Sequence, residues 1–402
     1  MQETRTLSSK ITFLFTLIIV SMLLVAIIFP GFYHYFFGNY SVQLETPFEL
    51  GHKAYLLIGS NILLFAFGII YYKNRFPFLN FKIDQIRKFE ISKKVSTIIV
   101  IIILGIYAGI SSPELFLSEA ENWGDYILLD EALELWPDGQ SDNPYVSEQL
   151  DRYVRMALLD ASIQIFQNIK ILPFFASILV VFFTYLLTVQ LTGKRFAGII
   201  AMLILLQSHL FITFDTVAVY ENFWVLFFMI SIYAVRRKWI FSPLFYILAV
   251  FTKAYVAPFF IMTLYSAYRS EIAKRKKYLI FVSYIAIIIL SISVIFLGKS
   301  IYTDVVEVES SKFLLGFTDT AIQFRYDTLF TILLLPVTVG LYFLSKTNSN
   351  TDTIHSLISG TIIFSPILIT FTYFYEILPY RFVPTIVFFA IAVALFFSKK
   401  SK

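Results

Sequence analysis

Long apolar runs alternate with short polar segments along almost the whole chain. Each run is long enough to cross a hydrocarbon core of about 30 Å as a helix. The predicted spans are 11–32, 54–72, 95–112, 171–191, 195–213, 218–235, 277–298, 327–345, 354–373 and 380–398. The pattern predicts an all-α polytopic membrane protein with about ten full transmembrane helices.

One further apolar stretch, 240–268, does not fit a single span. Basic clusters flank it on both sides, and Lys253 and Pro258 interrupt it. One straight helix cannot begin and end on the same side of a membrane, so we predict a broken, re-entrant pair of helices that meet near Lys253. Broken backbone at membrane depth is tolerated where it is buried in protein or lines a cavity. A single tilted span with a snorkelling lysine is the alternative.

The loop charges predict the orientation, because cytoplasmic loops carry an excess of Lys and Arg. The basic segments, which we assign to the cytoplasm, are 73–94, 191–195, 236–239, 269–277 and the C-terminal KKSK. The segments assigned to the outer side are 36–53, 113–168, 213–221, 299–326 and 373–381. We therefore expect a multi-pass protein of the cell membrane with both termini in the cytoplasm.

Composition supports this class and excludes several others. Hydrophobic residues make up 58% of the chain, charged residues 15%, and the mean hydropathy is +0.76. There is no cysteine, so disulfides, thiolate nucleophiles and zinc–sulfur sites are excluded. The four histidines are scattered along the sequence. Topology accounts for the net charge of +5, which therefore indicates no nucleic-acid partner.

The outer loop 113–168 is too long for a simple connection, and loops of this length are usually functional or disordered. Its segment 118–138 concentrates acids and aromatic residues, with Glu119, Glu121 and Asp125 near the mouth of a predicted span. The Asn-Pro pair in NPY at 143–145 and the apolar periodicity that follows predict an amphipathic surface helix, with Arg155 on its polar face. A second surface helix is predicted over 123–136.

Ionisable residues are predicted only near the outer ends of the spans. The clear span cores contain no Asp, Glu, Lys or Arg. Coupled transporters place such groups near the membrane midplane. An outward cavity lined by carboxylates and a few cations is more typical of an enzyme that acts at the outer leaflet.

The order of motifs resembles the GT-C superfamily of polytopic glycosyltransferases, in particular the group of the protein mannosyltransferases. The resemblance covers about residues 95–398, so we divide the chain into an N-terminal part, 1–94, and a GT-C-like catalytic domain, 95–402. Its motifs are ENWGDY, LTGKRFAGIIAMLILLQSHLFI, FDTVAVYENF, AVFTKAYVAPFF and LPYRFVPTIVFF. The chain departs from the family by two additional spans before the first matching helix and by lacking an Asp-Glu pair at the first acidic site.

The resemblance implies inverting transfer of a sugar from a polyprenyl-phosphate donor to a glycan, lipid or protein acceptor. Asp125 is the candidate base, with Glu121 and Glu119 as alternatives. The alternative interpretation is that these acids belong to a solvated loop and have no catalytic role.

A phosphate leaving group needs cations, and Arg381 and Lys253 are the candidates. Arg381 also fits an interfacial snorkelling residue. Asp215 and Glu221 form a second acidic site, which either pairs with these cations or binds a divalent ion such as Mg²⁺ or Mn²⁺.

Three rival functions remain at this stage. A lipid-linked polysaccharide polymerase or ligase is expected to use arginines in a large outer loop, whereas this loop is acidic. A transporter or flippase is disfavoured by the uncharged span cores. A non-catalytic scaffold predicts that Asp125 is dispensable.

Overall fold

The computed structural model describes residues 7–38, 46–73, 75–120, 122–136, 153–296, 308–310, 312–371 and 378–398. Within these ranges the chain forms helices and connecting turns, with no strand. The all-α prediction is confirmed for them.

The helix bounds follow the apolar runs closely. The first nine helices are α1 Leu7–Ile28, α2 Phe32–Phe37, α3 Ala54–Tyr72, α4 Pro77–Lys88, α5 Lys93–Ser111, α6 Asp125–Glu134, α7 Tyr153–Phe166, α8 Ile171–Thr192 and α9 Arg195–Leu205. The next nine are α10 His209–Thr213, α11 Phe223–Arg237, α12 Phe241–Thr252, α13 Phe260–Arg269, α14 Lys274–Phe296, α15 Lys312–Gln323, α16 Thr328–Leu344, α17 Asn350–Phe371 and α18 Val383–Leu395. Short 3₁₀ helices cover Ser112–Phe116, Ala254–Phe259 and Pro379–Phe382.

Five helices of the described ranges are long and apolar enough to cross a membrane. They are α1, α3, α5 with its 3₁₀ extension, α8 and α17. Four further apolar helices have 10 to 17 residues, namely α9, α12, α16 and α18 with its 3₁₀ extension. The count of ten full spans stays a prediction.

Two predicted spans have the wrong bounds. The span 195–213 is interrupted after Leu205, where the chain turns and the amide of Leu210 donates to Asp327 Oδ2 at 3.1 Å. The span 218–235 becomes a helix only from Phe223. Averaged hydropathy does not register these interruptions, because the residues before Phe223 are buried although they are not helical.

The chain divides into two compact units. The first comprises 1–92, 188–210 and 304–402, and the second comprises 93–187 and 211–303. In the first unit, α1 packs against α15, α16 and α17, and α18 packs against α9. In the second unit, α11 packs along α12.

The break at Lys253 is confirmed. Helix α12 ends at Thr252, Lys253 is extended with φ −156° and ψ 112°, and a 3₁₀ helix leads into α13. The hydroxyl of Tyr284 interacts with both Ser242 and Thr263, so the chain folds back between them. At 12 and 10 residues, α12 and α13 are about 18 and 15 Å long, which is too short for a full crossing.

Helices are confirmed at both places where surface helices are predicted, and their location at a membrane surface stays a prediction. The predicted helix 123–136 corresponds to α6, and the later one corresponds to α7. Its predicted start at 143–145 lies outside the described residues. The basic segment 73–94 was predicted as a loop, but it contains α4, which has Pro77 in its first turn, where proline is well tolerated.

Single cysteines test the re-entrant topology, because the chain has no cysteine of its own. We expect Lys238→Cys and Ala273→Cys to react with an impermeant maleimide only from the cytoplasmic side, and Asn122→Cys only from outside. All three positions are exposed or lie in turns. The measurement compares labelling of intact cells with that of inverted vesicles. Labelling of Ala273→Cys from outside would favour a single tilted span.

Candidate functional site

The segment 214–222, FDTVAVYEN, joins α10 to α11 and is buried throughout. A buried loop must satisfy its backbone polar groups. Glu119 does this for two of them: its Oε1 accepts the amide of Ala218 at 2.7 Å and its Oε2 accepts the amide of Val219 at 3.2 Å. Both carboxylate oxygens of Glu119 are therefore used in holding the loop.

Lys170 supports Glu119 from the start of α8. Its Nζ lies 3.7 Å from Glu119 Oε1 and donates to the carbonyls of Glu114 and Leu117 at 2.9 and 2.8 Å. Burial raises the pKa of Glu119, and the loop amides and Lys170 oppose that shift. The ammonium thus ties the chain that follows α5 to α8 and partly neutralises the carboxylate.

A buried ion pair secures the other end of the loop. Arg155 of α7 lies with its Nε 2.9 Å from Glu221 Oε2, and its Nη2 donates to the carbonyl of Val219 at 2.6 Å. Both side chains are almost inaccessible to solvent. Burial raises the pKa of Glu221, whereas the charges of Arg155 and Lys253 lower it.

Asp215 is the third buried carboxylate around this loop, after Glu119, which contacts it, and Glu221, which belongs to it. Its Oδ2 accepts the Ser111 hydroxyl at 2.8 Å, and its backbone carbonyl accepts the Ser177 hydroxyl at 2.7 Å. Asn222 donates to Ser177 Oγ at 3.0 Å. Burial raises the pKa of Asp215 to about 7, although the hydrogen bonds from Ser111 and Tyr107 lower it.

Asp125 has a different environment from these three acids. It is half-buried in the first turn of α6, where the helix dipole favours a negative charge. Its Oδ2 accepts the hydroxyl of Tyr220 at 3.0 Å. Tyr220 packs edge-on against Trp123, with ring centroids 5.1 Å apart, and both rings contact Phe214. The aromatic cluster therefore fixes the donor that orients Asp125.

The structure brings together three of the six candidate residues around one loop. Asp125, Asp215 and Glu221 all contact or belong to 214–222, and Lys253 interacts with Glu221 through its charge. Arg381 belongs to the other unit, where its Nε donates to the hydroxyl of Tyr380 at 3.2 Å. Glu121 lies outside the described residues.

The contacts of Glu221 favour the pairing alternative for the second acidic site, and binding of a divalent cation there stays a prediction. Glu221 is paired with the guanidinium of Arg155, and Asp215 accepts a hydrogen bond from the hydroxyl of Ser111. Among the residues that the structure describes, no group of three or more His, Asp or Glu side chains is placed to hold a metal.

Sequence reasoning missed the residues that hold the loop. Arg155 was assigned to the polar face of a surface helix, but it is only 4% exposed and pairs with Glu221. Lys170 and Tyr220 were not singled out. The one available signal was that Arg155 and Lys170 are basic residues on a predicted outer side, where bases are few.

A buried acid within α17 was also missed, because the helix begins four residues before the predicted span. Asp352 Oδ2 accepts the Ser9 hydroxyl at 2.6 Å, and His355 lies one turn further along. Asp352 is the third residue of α17, so it lies at the end of the helix. It therefore does not provide the midplane charge that a coupled transporter needs.

Comparisons with protein-family models, with curated proteins and with solved structures find no match to this chain. Function is therefore inferred from the geometry and chemistry of its residues.

The Arg155–Glu221 pair gives a prediction about stability. Arg155→Met or Glu221→Met alone leaves one buried charge without its partner, and we expect each to cost about 3–5 kcal/mol. The double variant should recover part of that loss, because no charge is then stranded. It should not recover all of it, since the hydrogen bond to Val219 is absent. Thermal unfolding in detergent, followed by tryptophan fluorescence, measures the three variants. Additive losses would contradict the pairing.

The buried Asp215 gives a prediction about pH. Its pKa is 3.8 ordinarily and about 7 when folded, so the folded protein retains a proton that the unfolded chain loses between these values. The contribution of Asp215 to stability is therefore most favourable at and below about pH 4 and decreases as the pH rises to about 7. We expect Asp215→Asn to remove this decrease, so that the variant gains up to roughly 4 kcal/mol over the native protein at pH 7 and above. The control is Asp130→Asn, on the exposed face of α6. Parallel pH profiles for the native protein and Asp215→Asn would contradict the assignment.

Proposed function

We propose that this protein is a membrane glycosyltransferase. It transfers a sugar from a polyprenyl-phosphate donor to a hydroxyl or amide of a glycan, lipid or protein acceptor at the outer face of the membrane, with inversion at the anomeric carbon. The observation that carries the proposal is the distinct environment of Asp125. It is a half-buried carboxylate oriented by Tyr220 of the loop 214–222, whereas the buried acids around this loop make structural contacts.

Asp125 acts as the general base in this reaction. The acceptor oxygen or nitrogen attacks the anomeric carbon, and its proton passes to the carboxylate of Asp125. The bond between the anomeric carbon and the phosphate oxygen breaks, and its electron pair leaves with the phosphate. Because a lipid phosphate is already a good leaving group, one carboxylate suffices. A glycosidase, in contrast, needs two opposed carboxyls.

The environment of Glu119 supports Asp125 over Glu119 as the base. A base must accept the acceptor's proton directly, whereas both oxygens of Glu119 accept loop amides and the side chain is buried. Glu119 therefore has the role of a positioning residue.

Lys253, which belongs to the same unit as Asp125, is the proposed partner of the departing phosphate. Lys253 is at the extended break after α12, where its charge acts on Glu221. Arg381 is in the 3₁₀ helix before α18 and is partly exposed. A guanidinium matches phosphate oxygens with two parallel hydrogen bonds, so Arg381 stays the other candidate that the sequence offers for this role. No step is assigned to a divalent cation.

Substitution of Asp125 tests the proposal. We expect Asp125→Asn to lower sugar transfer by about 10²- to 10⁴-fold, because the amide cannot take the acceptor's proton. The assay uses radiolabelled polyprenyl-phosphate sugars with membranes that contain the protein. Asp130→Asn, which makes the same charge change on the exposed face of α6, is the matched control and should retain full activity. Tyr220→Phe should give an intermediate loss, since it removes only the hydrogen bond to Asp125.

Two outcomes would contradict the proposal. Full activity of a correctly inserted Asp125→Asn protein would remove Asp125 from the mechanism and direct attention to Glu121. Absence of transfer by the native protein from every polyprenyl-phosphate sugar supplied would favour the transporter and scaffold interpretations.

A further inference from the structure

The first unit contains a large apolar groove that the proposed reaction does not use. Its volume is about 950 Å³, and it is formed by α3, α4, α16 and the pair Phe396–Phe397. It runs along α3 from Leu64 to Lys73, a length of about 14 Å at 1.5 Å per residue. Ligand sites of proteins commonly occupy about 300–1,000 Å³.

The rim of the groove exposes large apolar side chains. Tyr72 is 75% exposed, Phe343 54% and Ile86 52%. Exposed apolar groups of this kind mark a lipid or ligand surface. In a membrane-embedded helix bundle, hydrocarbon chains are the apolar partner that is always present.

One end of the groove is basic. Lys73 and Arg87 line it, and the lining residues that the structure describes include no Asp or Glu. The guanidinium of Arg87 is near the Tyr71 hydroxyl, with Nη1 3.5 Å from it. The backbone carbonyl of Arg87 accepts Lys194 Nζ, which holds the end of α4 to the start of α9. These contacts therefore hold the cationic end of the groove in place.

The surrounding segment strengthens the positive field. Residues 73–94 contain seven Lys or Arg and two Asp or Glu. This segment is predicted to be cytoplasmic by its charge, and α4 lies within it with the basic residues Arg87 and Lys88 in its last turn. Basic pockets between helices on the cytoplasmic side favour acidic lipid head groups.

We propose that this groove binds an acidic glycerophospholipid of the inner leaflet, with an acyl chain along α3 and the head-group phosphate at Lys73 and Arg87. The apolar groove supplies affinity for any lipid chain. The two cations supply the preference for a net negative head group over a zwitterionic one.

Two pairs of variants test the two parts of the site. For the head group, Lys73→Gln/Arg87→Gln removes the lining charges and keeps the carbonyl that Lys194 contacts. Its control, Lys82→Gln/Lys88→Gln, removes two exposed charges from the same segment that do not line the groove. Both double variants have the same net charge.

For the acyl chain, Gly68→Leu places a side chain in the groove. Gly68 lines the groove, and a Cβ built there meets nothing within 4 Å. The control is Gly59→Leu on the same helix, where a Cβ also meets nothing but the position does not line the groove. Nine residues separate the two glycines, so they face opposite sides of α3.

Native mass spectrometry of the purified protein measures lipid binding from an equal mixture of phosphatidylglycerol and phosphatidylcholine. We expect the native protein to prefer phosphatidylglycerol by about 10- to 30-fold. Lys73→Gln/Arg87→Gln should lose this preference and retain binding of both lipids. Gly68→Leu should lose both lipids, while Gly59→Leu and Lys82→Gln/Lys88→Gln should behave as the native protein does.

Three results would overturn the proposal. Equal loss of preference in the two charge variants would indicate diffuse attraction by the whole segment. Unchanged lipid binding in Gly68→Leu would remove the groove as the chain-binding surface. A dimer that excludes lipid and disappears in Gly68→Leu would identify a second copy of the chain as the occupant.

Discussion

The two hydrogen bonds from the amides of Ala218 and Val219 to the carboxylate of Glu119 are the contact on which the candidate site depends. Charge-assisted hydrogen bonds of this kind are roughly twice as strong as neutral ones. They hold a non-helical loop inside the second unit, where unsatisfied amides would be costly. Arg155 secures the same loop through Glu221 and the carbonyl of Val219. Leaving any of these buried groups without its partner would cost free energy, so the contacts favour a single arrangement of the loop.

The single arrangement of the loop explains why four acids of similar chemistry have different roles. Glu119 and Glu221 are buried against amides and a guanidinium, and Asp215 is buried against hydroxyls. Asp125 alone among these four is half-exposed, and Tyr220 reaches it from the loop that the others secure. The supporting acids therefore set the position of the tyrosine that orients Asp125. A loss of activity after substitution of Glu119 would then arise through position, whereas a loss at Asp125 would arise in the proton transfer itself.

The sequence predicted features that depend on local composition. It could not predict features that depend on contacts between residues remote from each other along the chain. Apolar runs located most helices, and the basic clusters around 240–268 located the break at Lys253. Helix α9 nevertheless stops at Leu205, and the amide of Leu210 in α10 donates to Asp327, which is remote in sequence. Arg155 was predicted to be exposed, since a helical period identifies a polar face but does not identify a buried partner for it. Glu221 supplies that partner, 66 residues away along the chain, at 2.9 Å.

In the basic segment 73–94, one property depends on the number of Lys and Arg residues and another depends on their positions. The positive-inside rule depends on how many Lys and Arg a loop carries, and it is nearly indifferent to which positions they occupy. Binding a phosphate depends on position, and only Lys73 and Arg87 of the seven basic residues line the groove. Five basic residues remain when these two are neutralised, which is enough to keep the segment strongly positive. The same basic residues therefore contribute to membrane orientation through their number and to lipid binding through their positions. A substitution can remove lipid binding while the orientation is kept.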